Sequence, residues 1–178
     1  MNAADYIPAL KFGGKIYPEN IAGALNLPSV GQIFYVDGGK SSSGGGKTVD
    51  DAYKTVAEAY AAASADNDDV IVIAGTNATG RTAESAALVW AKRRLHILGN
   101  GAPRKINPRN GIGTNYSGGS TTPVLQVTSN NCIFSNISIA TFNDNDVLVE
   151  VTGEYNTFTN VHFQGIGHAT PAGETGAR

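Results

Sequence analysis

Cysteine and charge are both scarce in this chain of 178 residues, and each shortage narrows the possible functions. The single cysteine, Cys132, has no intrachain disulfide partner, so nothing indicates an oxidising compartment. It lies in the apolar run CIFSNISI, where a small buried thiol is expected. The formal net charge of −2 gives no general attraction to nucleic acid or anionic lipid. We therefore expect no nucleic-acid partner. Because no segment approaches the roughly 20 apolar residues of a membrane span, we expect no membrane partner either.

Glycine is abundant, at 22 residues, and it accompanies a charged fraction of only 16%. This composition indicates many tight turns and favours a mainly β or repetitive fold over a helical bundle. The length fits one domain, and we place it at residues 32–178.

Residues 1–31 form a separate segment in which prolines and glycines exclude a long helix or a wide sheet. The apolar side chains between them are too many for a free tail. We therefore predict an extended N-terminal arm that lies on its own domain, on a neighbouring subunit or on a foreign protein. The side chains assigned to this attachment arm are Tyr6, Ile7, Leu10, Phe12, Ile16, Tyr17, Ile21, Leu25 and Leu27.

The next stretch predicts a strand, a helix and a second strand. Gln32–Asp37 is rich in β-branched and aromatic residues, as strands are. An apolar stripe at helical spacing predicts a helix over about 48–65, with Thr48 and Asp51 at capping-box spacing. Asp68–Thr76 is a continuous apolar run and predicts a buried strand. Two further candidate strands are Ala87–Trp90 and Arg93–Gly99.

The second half of the chain contains a repeat with an offset of 24 residues. PVLQVTSNNCIFSNISI aligns with VLVEVTGEYNTFTNVHF, which places Phe134 on Phe158 and Asn136 on Asn160. A period of this length in a β-rich sequence predicts a β-helix, in which equivalent residues of successive coils stack. We therefore expect a structural ladder made of the two phenylalanines and the two asparagines.

The Gly/Ser loop before the predicted helix raises the alternative of a phosphate-binding loop. Gly46, Lys47 and Thr48 match the end of that motif, but Ser41 occupies the position of its first glycine. No acidic residue at the end of the following strand is placed to hold a magnesium ion. We therefore interpret the loop as a turn.

The segment IFYVDGG…KTVDDAYKTVAEAYAAASADNDDVIVIAGT and the later RRLHILGNG resemble the N-terminal module of pectate-lyase-like right-handed parallel β-helix proteins. The resemblance covers about residues 32–167. It implies a mainly β solenoid whose first coil is covered by a capping helix. Such modules recur in phage virion proteins, including tailspikes, head fibres and capsid decorations. The glycine-rich, weakly charged composition and the apolar arm are similar in type to these proteins.

Candidate catalytic residues are few. Glycoside hydrolysis needs two carboxylates that flank the bond, whereas Glu150 aligns with Gln126 in the repeat. Asp144 and Asp146 lie in a turn, where acidic residues more often serve the backbone. The histidines share no spacing that indicates a zinc site or a triad, and each is expected on the surface. They are His96, His162 and His168. We predict no catalytic residue, no cofactor and no metal ligand.

The function expected from the resemblance is structural. The chain would be a phage virion protein, either a capsid decoration or head fibre or a spike, held at the virion surface by its arm. Its partners would be phage capsid or tail proteins, with a homotrimer as the closed assembly and a host surface glycan as a possible ligand. The alternatives are the opening part of a polysaccharide lyase or hydrolase and a glycan-binding module without turnover.

Overall fold

The computed structural model describes residues 18–74, 81–100, 110–114, 122–141 and 147–164. Within these ranges the protein is mainly β, with eleven short strands and two short helices, and the strand pairings are parallel. This confirms the mainly β prediction. In chain order the elements are α1 (Pro18–Leu25), β1 (Ile33–Val36), α2 (Val56–Ala62), β2 (Asp69–Ile73), β3 (Leu88–Trp90), β4 (Leu95–Gly99), β5 (Gly111–Gly113), β6 (Leu125–Val127), β7 (Ile133–Ser135), β8 (Ser138–Ala140), β9 (Val149–Val151), β10 (Thr157–Thr159) and β11 (His162–Gln164).

The strands form three sheets. The main sheet has the order β1-β2-β4-β7-β10, the second sheet the order β3-β6-β9, and the third sheet the order β5-β8-β11. From β3 onward the chain visits the second, main and third sheets in that sequence three times. Each visit adds one parallel strand to each sheet, beside the strand from the previous visit.

The register between the last two visits equals the offset found in the repeat. Leu125 pairs with Val149 in the second sheet, and Phe134 pairs with Phe158 in the main sheet. In the third sheet Ile139 pairs with Phe163. The 24-residue alignment of the sequence is therefore a spatial alignment of neighbouring strands.

All three sheets contribute to one core, in which a row of aromatic rings runs across the strands. Tyr60 of α2 lies 5.1 Å from Trp90, which lies 5.4 Å from Phe134, measured between ring centroids. Phe134 in turn stacks on Phe158 at 4.7 Å with an interplanar angle of 6°. The Trp90 indole also donates a hydrogen bond to the Leu95 carbonyl at 3.2 Å, so its only polar group is satisfied. Cys132 is buried in the same core.

The capping helix is shorter than predicted and begins eight residues later. Its N-cap is Thr55, whose side chain forms a capping box with Glu58, whereas Thr48 only accepts the Asp51 amide in a turn. The cause is tertiary pairing. The Tyr35 amide donates to the Gly46 carbonyl at 2.8 Å, and the Tyr35 carbonyl accepts the Tyr53 amide at 2.9 Å.

These bonds tie Gly46 and Tyr53 to β1, and between them the Asp51 and Ala52 carbonyls accept the Gly46 and Gly44 amides, so these backbone groups are not available for a helix. The helix therefore does not start at the GGGKT loop, in contrast to the arrangement that a phosphate-binding loop requires.

Two distant charged side chains hold α2 at its ends. The buried Glu84 carboxylate accepts the Val56 amide at 2.8 Å and the Ala57 amide at 3.2 Å. The Lys92 ammonium donates to the Tyr60 carbonyl at 2.6 Å and the Ala63 carbonyl at 2.7 Å. An acid at the N-terminus and a base at the C-terminus both suit the helix dipole. The helix is thus fixed over the first strands of the core.

A second apolar cluster covers the outer face of the main sheet. Its centre is formed by α1, where Ile21 and Leu25 are buried; Leu27, just after the helix, packs on its edge. The prediction of an extended conformation is therefore wrong for residues 18–25. Pro18 suits the first position of a helix, and Asn26, at φ 55°, permits the turn that ends it. The sheet residues in the cluster are Tyr35, Val70, Val72 and Leu98.

These contacts change the assignment of the arm. Ile21 and Leu25 are buried within the protein's own domain, so they are not free for a partner, whereas Leu27 is only partly buried there. The other arm side chains lie outside the described residues, and for them attachment stays a prediction; they are Tyr6, Ile7, Leu10, Phe12, Ile16 and Tyr17. Neither described helix has the length and apolar character needed to cross a bilayer.

Candidate functional site: a groove beside the main sheet

The asparagines of the repeat are neighbours at one turn. The Asn160 amide donates to the Asn136 side-chain oxygen at 2.8 Å, and both residues have positive φ, 50° and 55°. Asparagine tolerates this left-handed conformation better than most residues. Together with the stacked Phe134 and Phe158 rings, this pair joins β7 to β10. The two pairs therefore form a structural ladder.

A second row of left-handed residues was not predicted. Asp68, Arg94, Asn131 and Tyr155 have φ of 51°, 52°, 59° and 55°, and each stands just before a strand of the main sheet. Because β2, β4, β7 and β10 are neighbours in this sheet, the four side chains emerge at equivalent positions of successive strands. We call these four residues the turn row.

The turn row borders a groove of about 390 Å³. The remaining lining comes from the segment after α1 and from the outer face of the main sheet. These other residues are Leu27, Pro28, His96, Ile133 and Thr157. The volume is within the range of small-molecule sites, roughly 300–1,000 Å³.

An ion pair fixes one end of the turn row. The Arg94 guanidinium donates through Nε to Asp68 Oδ1 at 2.9 Å and through Nη2 to Asp68 Oδ2. This bidentate contact with Arg94 lowers the pKa of Asp68 below its ordinary value, against the effect of partial burial. The two charges cancel within the groove. The fork also fixes the direction in which the remaining Arg94 N–H groups point.

His96 lies beneath this pair and is buried, so the expectation of a surface histidine is wrong. Its side chain points to the outer face, as alternation predicts, but there it is enclosed. Nδ1 accepts the Ile133 amide at 3.1 Å, so Nε2 carries the proton and donates to Asp68 Oδ1 at 3.2 Å. Burial lowers the pKa of His96, which keeps the ring neutral near pH 7.

The geometry of the groove suits binding better than catalysis. Both nitrogens of His96 are bonded to protein groups, and Asp68 is held by Arg94, so neither is placed to transfer a proton. Elsewhere, Glu150 accepts the Gln126 amide at 2.6 Å and faces no second carboxylate in that pair. His162 is half-buried on β11, whereas Asp144, Asp146 and His168 lie outside the described residues. In the described ranges, no three His, Cys, Asp or Glu side chains are grouped to hold a metal ion.

Sequence reasoning missed this groove because its residues belong to four separate turns and share no residue type. The signal that exists is weak: Asp68 and Asn131 are types that favour left-handed turns, but Arg94 and Tyr155 are not. Only the register of the main sheet brings the four together.

Comparison with known proteins gives no relative. No family model matches the chain, and no curated protein and no solved structure matches it.

Proposed function

We propose that the chain winds as a right-handed parallel β-helix, in which one passage through the second, main and third sheets is one coil. The observation that carries this proposal is the cyclic order of the sheets, repeated three times with parallel pairing throughout the described strands. Right-handedness is the general rule for connections between parallel strands of one sheet. The helix α2 would close the first coil, where apolar side chains and strand edges otherwise meet water.

We further propose that this β-helix is a structural protein of a phage particle, at the virion surface. The support is the resemblance of residues 32–167 to virion β-helix modules, together with parallel strands that are added to the three sheets in a repeated order. Its role would be binding and rigidity. Attachment to capsid or tail proteins would use the apolar residues between Tyr6 and Tyr17, because Ile21 and Leu25 are needed inside the domain.

A homotrimer is part of this proposal. Strands β9, β10 and β11 stand at the ends of their three sheets among the described strands, and β9 exposes the apolar side chain of Val151 at 45%. Neighbouring copies in a closed ring would cover part of this surface. Light scattering of the purified protein at several concentrations tests the assembly, and a monomer at all concentrations would contradict it.

Attachment is tested by deleting residues 1–17 and measuring binding to particles that lack the protein. This deletion spares α1, whereas removing residues 1–30 would also strip the outer cluster and confuse unfolding with lost binding. We expect the deletion variant to keep its circular dichroism spectrum and lose particle binding. Binding equal to that of the intact chain would contradict attachment through the arm.

Glycan binding without turnover is the second candidate, favoured by the groove beside the turn row. A polysaccharide lyase or hydrolase remains a weaker alternative, because it needs acids that the groove does not pair. Incubation with host capsule or lipopolysaccharide separates the two. New reducing ends or unsaturated uronate would indicate an enzyme, and retention without products would indicate a binding module.

A further inference from the structure

We infer that the groove beside the turn row binds a neutral oligosaccharide, with Tyr155 as the stacking residue. This inference deepens the glycan-binding candidate and rests on the coil arrangement proposed above, but not on attachment to a particle. Its basis is the set of side chains that the register of the main sheet brings together.

The first step is the supply of hydrogen-bonding groups. The side chains of Asn131, Tyr155 and Thr157 have no hydrogen-bond partner within the described part of the chain and face water. They offer one amide and two hydroxyls, which both donate and accept. Arg94 adds the N–H groups that Asp68 leaves unused, and its side chain is 48% exposed. Groups of this kind match a ligand whose surface is covered with hydroxyls.

The second step is the aromatic ring. Tyr155 is 79% exposed although it is the largest side chain of the turn row. The register of the main sheet places Tyr155 at the end of the row, two strands from Arg94. Strand spacing of about 4.8 Å places these two positions roughly 10 Å apart, so the row is long enough for a short chain of sugar rings. A tyrosine presents an apolar face to ring C–H groups and a hydroxyl to water.

The third step is charge, which decides between neutral and acidic sugars. Asp68 and Arg94 neutralise one another, and His96 is neutral in its buried position. The nearby Arg93 is paired with Asp66 at 2.9 Å. An acidic glycan would therefore find no unpaired cation among the described residues of the groove, and a neutral glycan does not need one. Because the ion pair already orders Arg94, this side chain loses little entropy when a ligand binds.

The experiment uses the full chain on an array of defined oligosaccharides, in which neutral hexose and N-acetylhexosamine chains are matched with uronate- and sialic-acid-containing counterparts. The strongest neutral binder is then titrated into three proteins. These are the wild type, Tyr155→Asn, which removes the ring but tolerates positive φ, and Phe163→Ala, which removes an exposed aromatic of the same coil outside the groove.

We expect binding to neutral chains, at least a tenfold weaker affinity in Tyr155→Asn, and wild-type affinity in Phe163→Ala. An array with no bound sugar, a preference for the acidic members, or equal losses in the two variants would overturn the inference. Particle binding without glycan binding would overturn this inference alone. Glycan binding that depends on Tyr155 without particle binding would overturn the virion assignment alone.

Discussion

Truncation of Phe134 directly tests the stacking of its ring on Phe158 of the neighbouring strand. The side chain is fully buried and lies between the Trp90 and Phe158 rings, at centroid distances of 5.4 Å and 4.7 Å. Removing a buried phenylalanine ring generally costs about 3–5 kcal/mol of stability, because apolar contacts are lost and a cavity remains. For a domain of this size that cost corresponds to a decrease in the melting temperature of roughly 6–20 °C. We expect Phe134→Ala to fall within these limits.

The assay is urea unfolding followed by circular dichroism, with Phe163→Ala as the matched control. Phe163 is 51% exposed on β11, so its truncation is expected to change the free energy of unfolding by less than about 0.5 kcal/mol. A double-mutant cycle of Phe134→Ala and Phe158→Ala then isolates the contact between the rings, for which we expect a coupling of about 0.5–1.5 kcal/mol. Absence of coupling, or a control variant as unstable as Phe134→Ala, would refute the stacking of the Phe134 and Phe158 rings.

Three other changes test single features. Glu84→Gln removes the negative charge at the N-terminus of α2 and one of its two acceptors, and we expect a loss of about 1–3 kcal/mol in urea unfolding. Asn160→Gly loses only the hydrogen bond to Asn136, whereas Asn160→Ala also strains the left-handed backbone. The alanine variant should therefore be roughly 1–2 kcal/mol less stable than the glycine variant. Equal stabilities would contradict the observed φ. Burial lowers the pKa of His96, so the unfolded chain takes up this proton first and stability falls as the pH drops below about 6.5. His96→Gln can keep both hydrogen bonds without titrating, and thermal melts from pH 7.5 to 5 should show a smaller decrease for this variant.

Local sequence patterns predicted the strands of the described fold better than its helices. The runs that became β1 and β2 are rich in β-branched residues, and burial on both faces reinforces that preference. The 24-residue repeat also gave the correct register, because equal spacing in the chain becomes equal position in the sheets. These features depend on residues close together in sequence or on their repetition.

The helices show where local patterns fail. The apolar stripe after Thr48 is helical in spacing, yet Gly46 and Tyr53 bond to β1, and these contacts outweigh the helix propensity of the residues between them. Conversely, α1 is only eight residues long, and it is stabilised by burying Ile21 and Leu25 against a sheet that follows it in the chain. No local signal describes that surface. His96 was misplaced for the same reason, since alternation gives the direction of a side chain but not what covers it.

The two ends of the apolar core differ in how completely they are covered. At one end α2 covers the core, and Val56 and Ala59 are fully buried. At the other, Phe158 is only partly buried although its register partner Phe134 is completely buried. Because the two phenylalanines occupy equivalent positions, the difference comes from their neighbours. Strand β10 lies beyond Phe134, whereas no described strand lies beyond Phe158. A surface that covers Phe158 meets both apolar side chains and the outer edges of β9, β10 and β11, beside which no further described strand lies. A purely apolar surface would leave those backbone groups unsatisfied, whereas a surface with its own backbone donors and acceptors, such as a further strand of the same chain or of another protein, would satisfy them.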